Sequence, residues 1–351
     1  MQDVINTGLI GYGNAAKVFH APVIQAVQGL SLKKVVERRK KESSERYPWV
    51  DVVGDVTTLL LDESIELVVI ATPNNTHFEL ARQALLSNKH VVVDKPLTIT
   101  SEQAHQLIGL ARQQKRVLSV FQNRRWDGDF KTVNKLIKGN LLGRLVEFES
   151  HFDRFRNYRK PGWREDEGEG TGILYDLGPH LIDQAQTLFG LPEMVTADIR
   201  IQRDSAKVAD YFELILHYNN LKATLKAGML VREPNKRFIL HGTEGSYVKY
   251  GLDPQENALK QGLLPSSPNW GMERRENWGK LNTNLNGLHF DGPLETLPGS
   301  YQDYYRNIAD VIRGREELIV KPLQALNTIR IIEHALLSNE EKRTVKYNGT
   351  K

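Results

Sequence analysis

None of the 351 residues is cysteine, which excludes disulfides, thiolate metal sites and a cysteine nucleophile and suits a reducing compartment. No apolar run reaches the roughly 18 residues that a membrane-spanning helix needs. The opening Met1-Gln2-Asp3-Val4-Ile5-Asn6 lacks the basic-then-apolar order of a signal peptide. A cytoplasmic location and no membrane partner are therefore expected. Charge of one sign is scarce as well. The 47 basic and 43 acidic residues leave a dispersed net charge of +4, too small to predict a nucleic-acid partner. The 10 histidines are scattered, with no HExxH and no paired spacing that would build a zinc site, so no metal is expected. Internal repeats and low-complexity tracts are missing too. What remains, 40% hydrophobic and 26% charged, is ordinary for a soluble globular chain long enough for two domains.

The most informative stretch present is Gly11-Tyr12-Gly13-Asn14-Ala15-Ala16, directly after the apolar run Gly8-Leu9-Ile10. It reads as a strand turning into a helix. Gly11 permits the turn, Gly13 lets the backbone approach a pyrophosphate, and Ala16 lets helix and strand pack closely. The helix start then supplies the anion site, with Asn14 and Ala15 in its first turn. A second strand, residues 32–37, ends in Glu37, 21 residues beyond Ala16, a separation suited to a carboxylate accepting hydrogen bonds from ribose hydroxyls. Arg38 and Arg39 follow. A carboxylate repels the extra phosphate of NADP whereas guanidinium groups bind it, so the expected cofactor is NAD or NADP.

Short β-branched runs at residues 50–53, 66–72, 90–94 and 117–121 alternate with helical patterns such as 77–86 and 101–114, the second with Ser101 as a plausible cap. This predicts βαβ units and a doubly wound parallel sheet of about six strands. Beyond residue 122 strands follow one another, at 146–152, 195–202, 211–218, 222–229 and 237–241, predicting an open, mainly antiparallel sheet. Residues 252–298, rich in Gly, Pro, Asn and charge, are expected to be a surface excursion. Helices at 301–312 and 323–337 and a closing strand at 343–347 complete an α/β chain. Its expected domains are a dinucleotide-binding domain, residues 1–122, and an α+β domain for substrate binding and oligomerisation, residues 123–351.

Three clusters sit where strands end, the place where an open parallel sheet presents its crevice. Thr72-Pro73-Asn74-Asn75-Thr76-His77 either lines the cofactor or forms a turn in which Thr76 caps the next helix. Asp94-Lys95-Pro96 brings an ammonium to the rim of the sheet beside a carboxylate, where it can give, take or polarise a proton. In Gly170–Asp183, Asp176 and His180 share a helix face if the turn is continuous, although Pro179 predicts a break or a helix start. A histidine near a carboxylate suits proton removal at neutral pH.

The fingerprint, Thr72-Pro73-Asn74 with His77, Asp94-Lys95-Pro96 and Asp176-Leu177-Gly178-Pro179-His180 resemble the GFO/IDH/MocA oxidoreductases in order and spacing over nearly the whole chain. Asp94 stands where that family more often has glutamate. A narrower resemblance, to bacterial NADP-dependent scyllo-inositol dehydrogenases, is carried by Phe19-His20-Ala21-Pro22, the run from Asn123 to Phe130, Gly172 to Asp176 and His241 to Ser246. Glu37 departs from it, since a member committed to NADP would carry a small neutral residue there.

The resemblance implies a Rossmann domain and hydride transfer between a polyol or sugar carbon and nicotinamide. Lys95 and His180 would manage the hydroxyl proton, in an order left open, and Asp176 would orient the substrate. Cofactor contacts would come from Gly11, Gly13, Asn14, Ala15, Ala16, Glu37, Arg38, Thr72, Pro73, Asn74, His77, Asp94, Lys95 and Asn123. Arg124, Trp126, Asp127, Arg154, Arg156 and Trp163 are candidates for the substrate wall. The second sheet must cover its outer face, and the resemblance implies a homodimer or homotetramer through it. Two other classes share the architecture: a dinucleotide-sensing regulator, which would lack the lysine or the histidine, and a glycosidase that holds NAD tightly.

Overall fold

The computed structural model describes residues 4–39, 41–233, 236–285 and 287–349. In chain order the first elements are β1 (Ile5–Ile10), a π-helical stretch (Ala16–His20) running into α1 (Ala21–Gln25), β2 (Leu30–Val36), α2 (Glu42–Arg46), β3 (Asp51–Val53), α3 (Val56–Leu60), β4 (Leu67–Ile70), α4 (His77–Leu86), β5 (His90–Val93), α5 (Ser101–Gln113) and β6 (Leu118–Val120). Then come α6 (Gly128–Lys138), β7 (Leu145–His151), α7 (Gly172–Phe189), β8 (Met194–Arg200), β9 (Tyr211–Tyr218), β10 (Leu221–Gly228), β11 (Lys236–Gly242) and β12 (Gly245–Tyr250). The last are α8 (Gln255–Lys260), β13 (Gly279–Leu285), β14 (Leu288–Leu294), α9 (Gln302–Ile312), α10 (Pro322–Glu341) and β15 (Val345–Lys346). The chain divides into two compact units. One comprises residues 1–126, 255–270 and 300–326, and the other residues 127–254, 271–299 and 327–351. The first unit therefore holds more than residues 1–122.

In the first unit six parallel strands lie in the order β3-β2-β1-β4-β5-β6. A parallel sheet is covered on both faces, so its strands are apolar throughout, as in Leu67-Val68-Val69-Ile70. One face packs Leu9, Leu32, Val35, Leu67, Val69 and Val92 against Ala16, Ala21, Ile24, Leu259, Tyr301, Tyr305 and Ile308. α4 lies against β4 and β5. It spans the expected residues. Thr76 stands at its N-cap, but the Thr76 hydroxyl donates to the Pro73 carbonyl at 2.7 Å instead of capping an amide. α5 is capped by Thr100, whose hydroxyl accepts the Gln103 amide at 3.3 Å, and not by Ser101. The order reverses between β1 and β4, which opens a crevice at the carboxyl ends of these strands.

The second unit is built on nine strands in the order β14-β13-β12-β11-β7-β10-β9-β8-β15, antiparallel apart from the β7/β10 pair. Alternation sends Phe148, Phe212, Leu214, Leu216, Leu225, Phe238 and Leu240 inward onto α6, α7 and the later turns of α10. Residues 252–298 are not one excursion: they supply α8 to the first unit and β13 and β14 to this sheet. α7 runs unbroken for 18 residues through Pro179, against expectation. Proline in a helix interior costs roughly 3 kcal/mol through the lost hydrogen bond and the ring clash. Ile173, Leu174, Leu177, Leu181 and Ile182 are all buried on this helix, and burial of each side chain contributes about 1.5–3 kcal/mol, which outweighs that cost.

Candidate active site

In the first unit the fingerprint has the geometry its residues imply. Gly11 has φ +89°, and a Cβ there would lie 2.8 Å from the Ala71 carbonyl oxygen and 3.0 Å from Thr72 Cγ2, so only glycine fits. At Gly13 a Cβ would meet nothing within 4 Å. The backbone there is open to solvent at the start of the helix, where Asn14 is exposed and Ala16 fully buried. The first amides of a helix have no partner within it. An open backbone, unpaired amides and the β1/β4 crevice together fit the pyrophosphate of a dinucleotide.

At the end of β2 Glu37 is held by its own neighbourhood. Its carboxylate accepts the Glu42 amide at 3.0 Å and the Ser43 amide at 2.8 Å, capping the start of α2. Each oxygen keeps acceptor capacity for a ribose hydroxyl. Arg38 and Arg39 are exposed beside it, and Lys40 lies outside the described residues. Lys17, next along the fingerprint helix, pairs with Glu42.

The loops after β4 and β5 are tied together by His77. Its ring is fully buried, with Nδ1 2.7 Å from the Pro96 carbonyl and Nε2 3.0 Å from the Thr72 carbonyl. Burial holds its pKa below the ordinary value against these carbonyls and Asp94. A neutral imidazole donates to one of these carbonyls, and the ring braces the two loops against each other. Thr72 and Thr76 share a 2.6 Å hydroxyl contact. Because the Thr76 hydrogen goes to Pro73, Thr72 is the donor in that pair. Asn74 is buried in the same turn, with Pro73 partly exposed.

Asp94 and Lys95 follow β5. Asp94 is buried, and His20 Nε2 stands 3.5 Å from its Oδ1. Desolvation would raise the pKa of this carboxyl, but His20, Lys95 and His77 outweigh it and hold it well below the usual range. Lys95 is partly exposed at the strand end. Asn123 opens the turn after β6 and is buried.

Three residues expected at the substrate wall are buried in their own units. Arg124 donates to the Tyr301 hydroxyl at 3.0 Å and pairs with Glu256, an arrangement of the unit's interior. Burial would raise the Glu256 pKa, and Arg124 with Lys260 overcomes this and lowers it to about 2. Trp126 packs edge-on against Tyr304 at 5.6 Å within the same core. Asp127, in the second unit, is buried at the N-cap of α6. Their polar and aromatic character was legible. The partners of Arg124 and Trp126 lie more than 100 residues away.

In the second unit continuity through Pro179 puts Asp176 and His180 one turn apart on the same face of α7. His180 is buried, and Asp176 is partly exposed. The Asp176 carboxylate lies 3.3 Å from Arg164 Nε, and Arg164 stacks 4.5 Å above the Trp163 ring. Sequence reasoning found Trp163 and missed Arg164. The signal lay in the adjacent pair Trp163-Arg164, and its arginine goes to the carboxylate. Arg156 pairs with Glu165, and Arg154 lies 5.7 Å from the Phe152 ring centre, both partly exposed. Arg203 anchors this stretch from beneath, donating to Asp210 at 2.7 Å and to the Tyr158 carbonyl at 2.6 Å. Arg156 is thus held by a carboxylate of its own unit. Among the described residues no group of three or more His, Asp or Glu side chains is placed to hold a metal, and no helix is long and apolar enough to cross a membrane.

Two family models of the GFO/IDH/MocA oxidoreductases match the chain: the NAD-binding Rossmann fold over residues 5–122 and the C-terminal alpha/beta domain over residues 134–347. The uncharacterized oxidoreductase YdgJ of Escherichia coli is 45% identical over 98% of this chain and 99% of its own. The scyllo-inositol 2-dehydrogenase (NADP(+)) IolW of Bacillus subtilis is 40% identical over 98% of this chain and 96% of its own. A crystal structure of an oxidoreductase from Bacillus cereus superposes with a TM-score of 0.91 at 35% identity, covering 99% of this chain and 100% of that one.

Proposed function

Because the chain belongs to the GFO/IDH/MocA oxidoreductase family, we propose that it is an NAD(P)-dependent dehydrogenase acting on a ring hydroxyl of a polyol or sugar, with the inositols first among the substrates to offer. The observation that carries this reading is one crevice-bearing sheet whose strand ends hold both an open backbone cradle at Gly13 and a partly exposed lysine, Lys95. The nicotinamide, when bound, accepts or returns the hydride. The chain's own residues do the rest. Gly11, Gly13, Asn14, Ala15 and Ala16 receive the pyrophosphate. Glu37 and Arg38 meet the adenosine end. Thr72, Pro73, Asn74, Asp94, Lys95 and Asn123 line the remainder, braced by His77.

Lys95 and His180 are the proton-handling groups. Each can hold a hydroxyl by hydrogen bond and move its proton, and Asp176 orients the substrate by accepting from a neighbouring hydroxyl. Arg154, Arg156 and Trp163 remain the substrate wall, to which Arg164 is added. The enzyme is cytoplasmic and assembles as a homodimer or homotetramer through the outer face of the nine-stranded sheet. Partly buried Ile215, Ile239 and Val248 point to that face, opposite the core residues of the same strands. Sedimentation at working concentration should show more than one copy, and a monomer would remove the assembly.

The test of the chemistry is substitution. Lys95→Ala and His180→Ala should each lower turnover by on the order of 10²-fold or more. Cofactor should still bind both variants, because the pyrophosphate cradle is untouched. Near-normal rates in either variant would place the chemistry elsewhere.

A further inference from the structure

Glu165 has no part in the chemistry above, yet three donors of the second unit meet on its carboxylate. Oε1 accepts from Arg156, and Oε2 accepts from Arg203 Nη2 and from the Lys160 amide, each at 3.1 Å. Arg203 is itself fixed. Its side chain and that of Asp210 are each 2% exposed, and Asp210 takes Arg203 Nε at 2.7 Å together with the amides of Gln202 at 2.7 Å and Arg203 at 3.1 Å. The same guanidinium donates to the Tyr158 carbonyl at 2.6 Å. Charges of opposite sign therefore alternate along Asp210, Arg203, Glu165 and Arg156, the condition under which buried charge is tolerated.

What this carboxylate holds is a turn. The Glu165 amide donates to the Gly162 carbonyl at 3.0 Å, closing a β-turn with Trp163 and Arg164 as its two central residues. The Arg164 carbonyl accepts the amide of Gly172, the first residue of α7, at 2.9 Å. The Glu165 side chain is 13% exposed against 42% for Arg164, so the turn sends its anchor inward and presents the arginine outward, stacked on Trp163 and 3.3 Å from Asp176. Hydrogen bonds to ionised groups are roughly twice as strong as neutral ones. The carboxylate, more than the backbone, therefore sets where the turn sits.

We propose that Glu165 is a positioning residue for the substrate: by bridging Arg156 and Arg203 it fixes the turn that presents Trp163 and Arg164 beside Asp176, a role that rests on the reading of those two side chains as substrate wall. Without the carboxylate, two guanidinium groups face each other across the space it filled, residues 156–165 lose their closure, and the wall moves off Asp176. The substrate is then held less well in ground state and transition state alike. Such a loss raises KM and leaves kcat nearly unchanged.

Glu165→Gln keeps the length of the side chain and turns one acceptor into a donor that faces other donors. With the polyol or sugar that the parent oxidises fastest, it should raise KM by about tenfold and leave kcat within about threefold. In a background of Trp163→Ala with Arg164→Ala, the same substitution should change KM by less than about twofold, because the side chains through which it acts are gone. A second readout needs no turnover. Trypsin cleavage after Arg159 is timed by peptide mass spectrometry against cleavage after exposed Arg274. It should be about tenfold faster in Glu165→Gln, with the rate after Arg274 unchanged. If Glu165→Gln does not fold, Glu165→Asp, which keeps the charge and stops one methylene short of the two arginines, should move both readouts in the same direction by less. An unmoved KM or trypsin rate, or a rise in KM that persists in the doubly substituted background, would overturn the proposal. Parental KM in the Trp163→Ala with Arg164→Ala variant would instead overturn the reading of the wall on which it rests.

Discussion

The two glycines of the fingerprint should fail in different ways when each is changed to alanine, because one is required by the fold and the other by the ligand. Gly11 sits at φ +89°, where a side chain costs about 1–2 kcal/mol, and its Cβ would press on the Ala71 carbonyl oxygen at 2.8 Å. Overpacking against backbone adds about 1–3 kcal/mol, giving roughly 3 kcal/mol in all for Gly11→Ala. At about 2–4 °C per kcal/mol for a unit of this size, its thermal midpoint should fall by roughly 6–12 °C. Gly13→Ala meets nothing within 4 Å, so its midpoint should match the parent's without cofactor. The added methyl occupies the approach of the pyrophosphate, however. A loss of about 1–3 kcal/mol there weakens cofactor Kd by roughly 10- to 100-fold. The assay is differential scanning fluorimetry and calorimetric titration on both variants with NADH and NADPH. Cofactor at 100 times Kd should add about 2.7 kcal/mol to the parent and much less to Gly13→Ala at the same concentration. Parental affinity in Gly13→Ala would refute the reasoning, because the open backbone at that turn would not then be where the phosphates lie.

Other outcomes follow from single residues. His90 accepts the Val117 amide at Nδ1, 3.0 Å away, and burial, aided by Arg116, lowers its pKa to about 4. The unfolded chain takes up the proton near pH 6.5, so His90 should cost stability progressively as pH falls from about 6.5 to 4 and no further below that. His90→Asn, which keeps an acceptor in place of Nδ1, should flatten that part of a plot of thermal midpoint against pH, and an unchanged slope would exclude His90 as its source. Arg124→Ala leaves partly buried Glu256 with Lys260 as its remaining cation and should cost about 1–3 kcal/mol in chemical denaturation with KM little changed. A raised KM with parental stability would return Arg124 to the substrate wall. The losses of turnover at Lys95 and His180 complete the set.

Much of the first unit was legible because a parallel sheet leaves a strong local record. The runs at β4 and β5 are apolar at every position, and α4 has the limits its three- and four-residue spacing implies. Gly11 was legible for the same reason, since its conformation is a property of the turn alone. The burial of Arg124, Trp126 and Asp127 was not legible, because polar and aromatic side chains near strand ends have the same appearance whether they meet a ligand or a distant segment. Glu256 and Tyr301, which claim Arg124, lie 132 and 177 residues farther along. Pro179 misled in the opposite direction. Its local cost is real, but the buried leucines and isoleucines of α7 decide the outcome, and their burial is a tertiary fact. Residues 252–298 hid two strands because β13 carries Lys280, Asn282 and Asn284 on one side, so that only alternate positions are apolar. His20 was quoted for its resemblance alone. Its contact with Asp94 joins the start of the chain to a strand end 74 residues on.

The central claim is that this chain moves hydride between a hydroxylated ring carbon and a nicotinamide. Its most direct test is the absorbance of reduced nicotinamide at 340 nm, a general property of the cofactor. Purified protein would be offered NAD and NADP separately, each with a panel of inositols, aldoses and sugar acids. The account predicts reduction with at least one neutral polyol or sugar and its loss in Lys95→Ala. Silence across the panel, with cofactor binding demonstrated in the same samples, would contradict it and favour a dinucleotide-sensing regulator or an enzyme that oxidises its substrate only transiently.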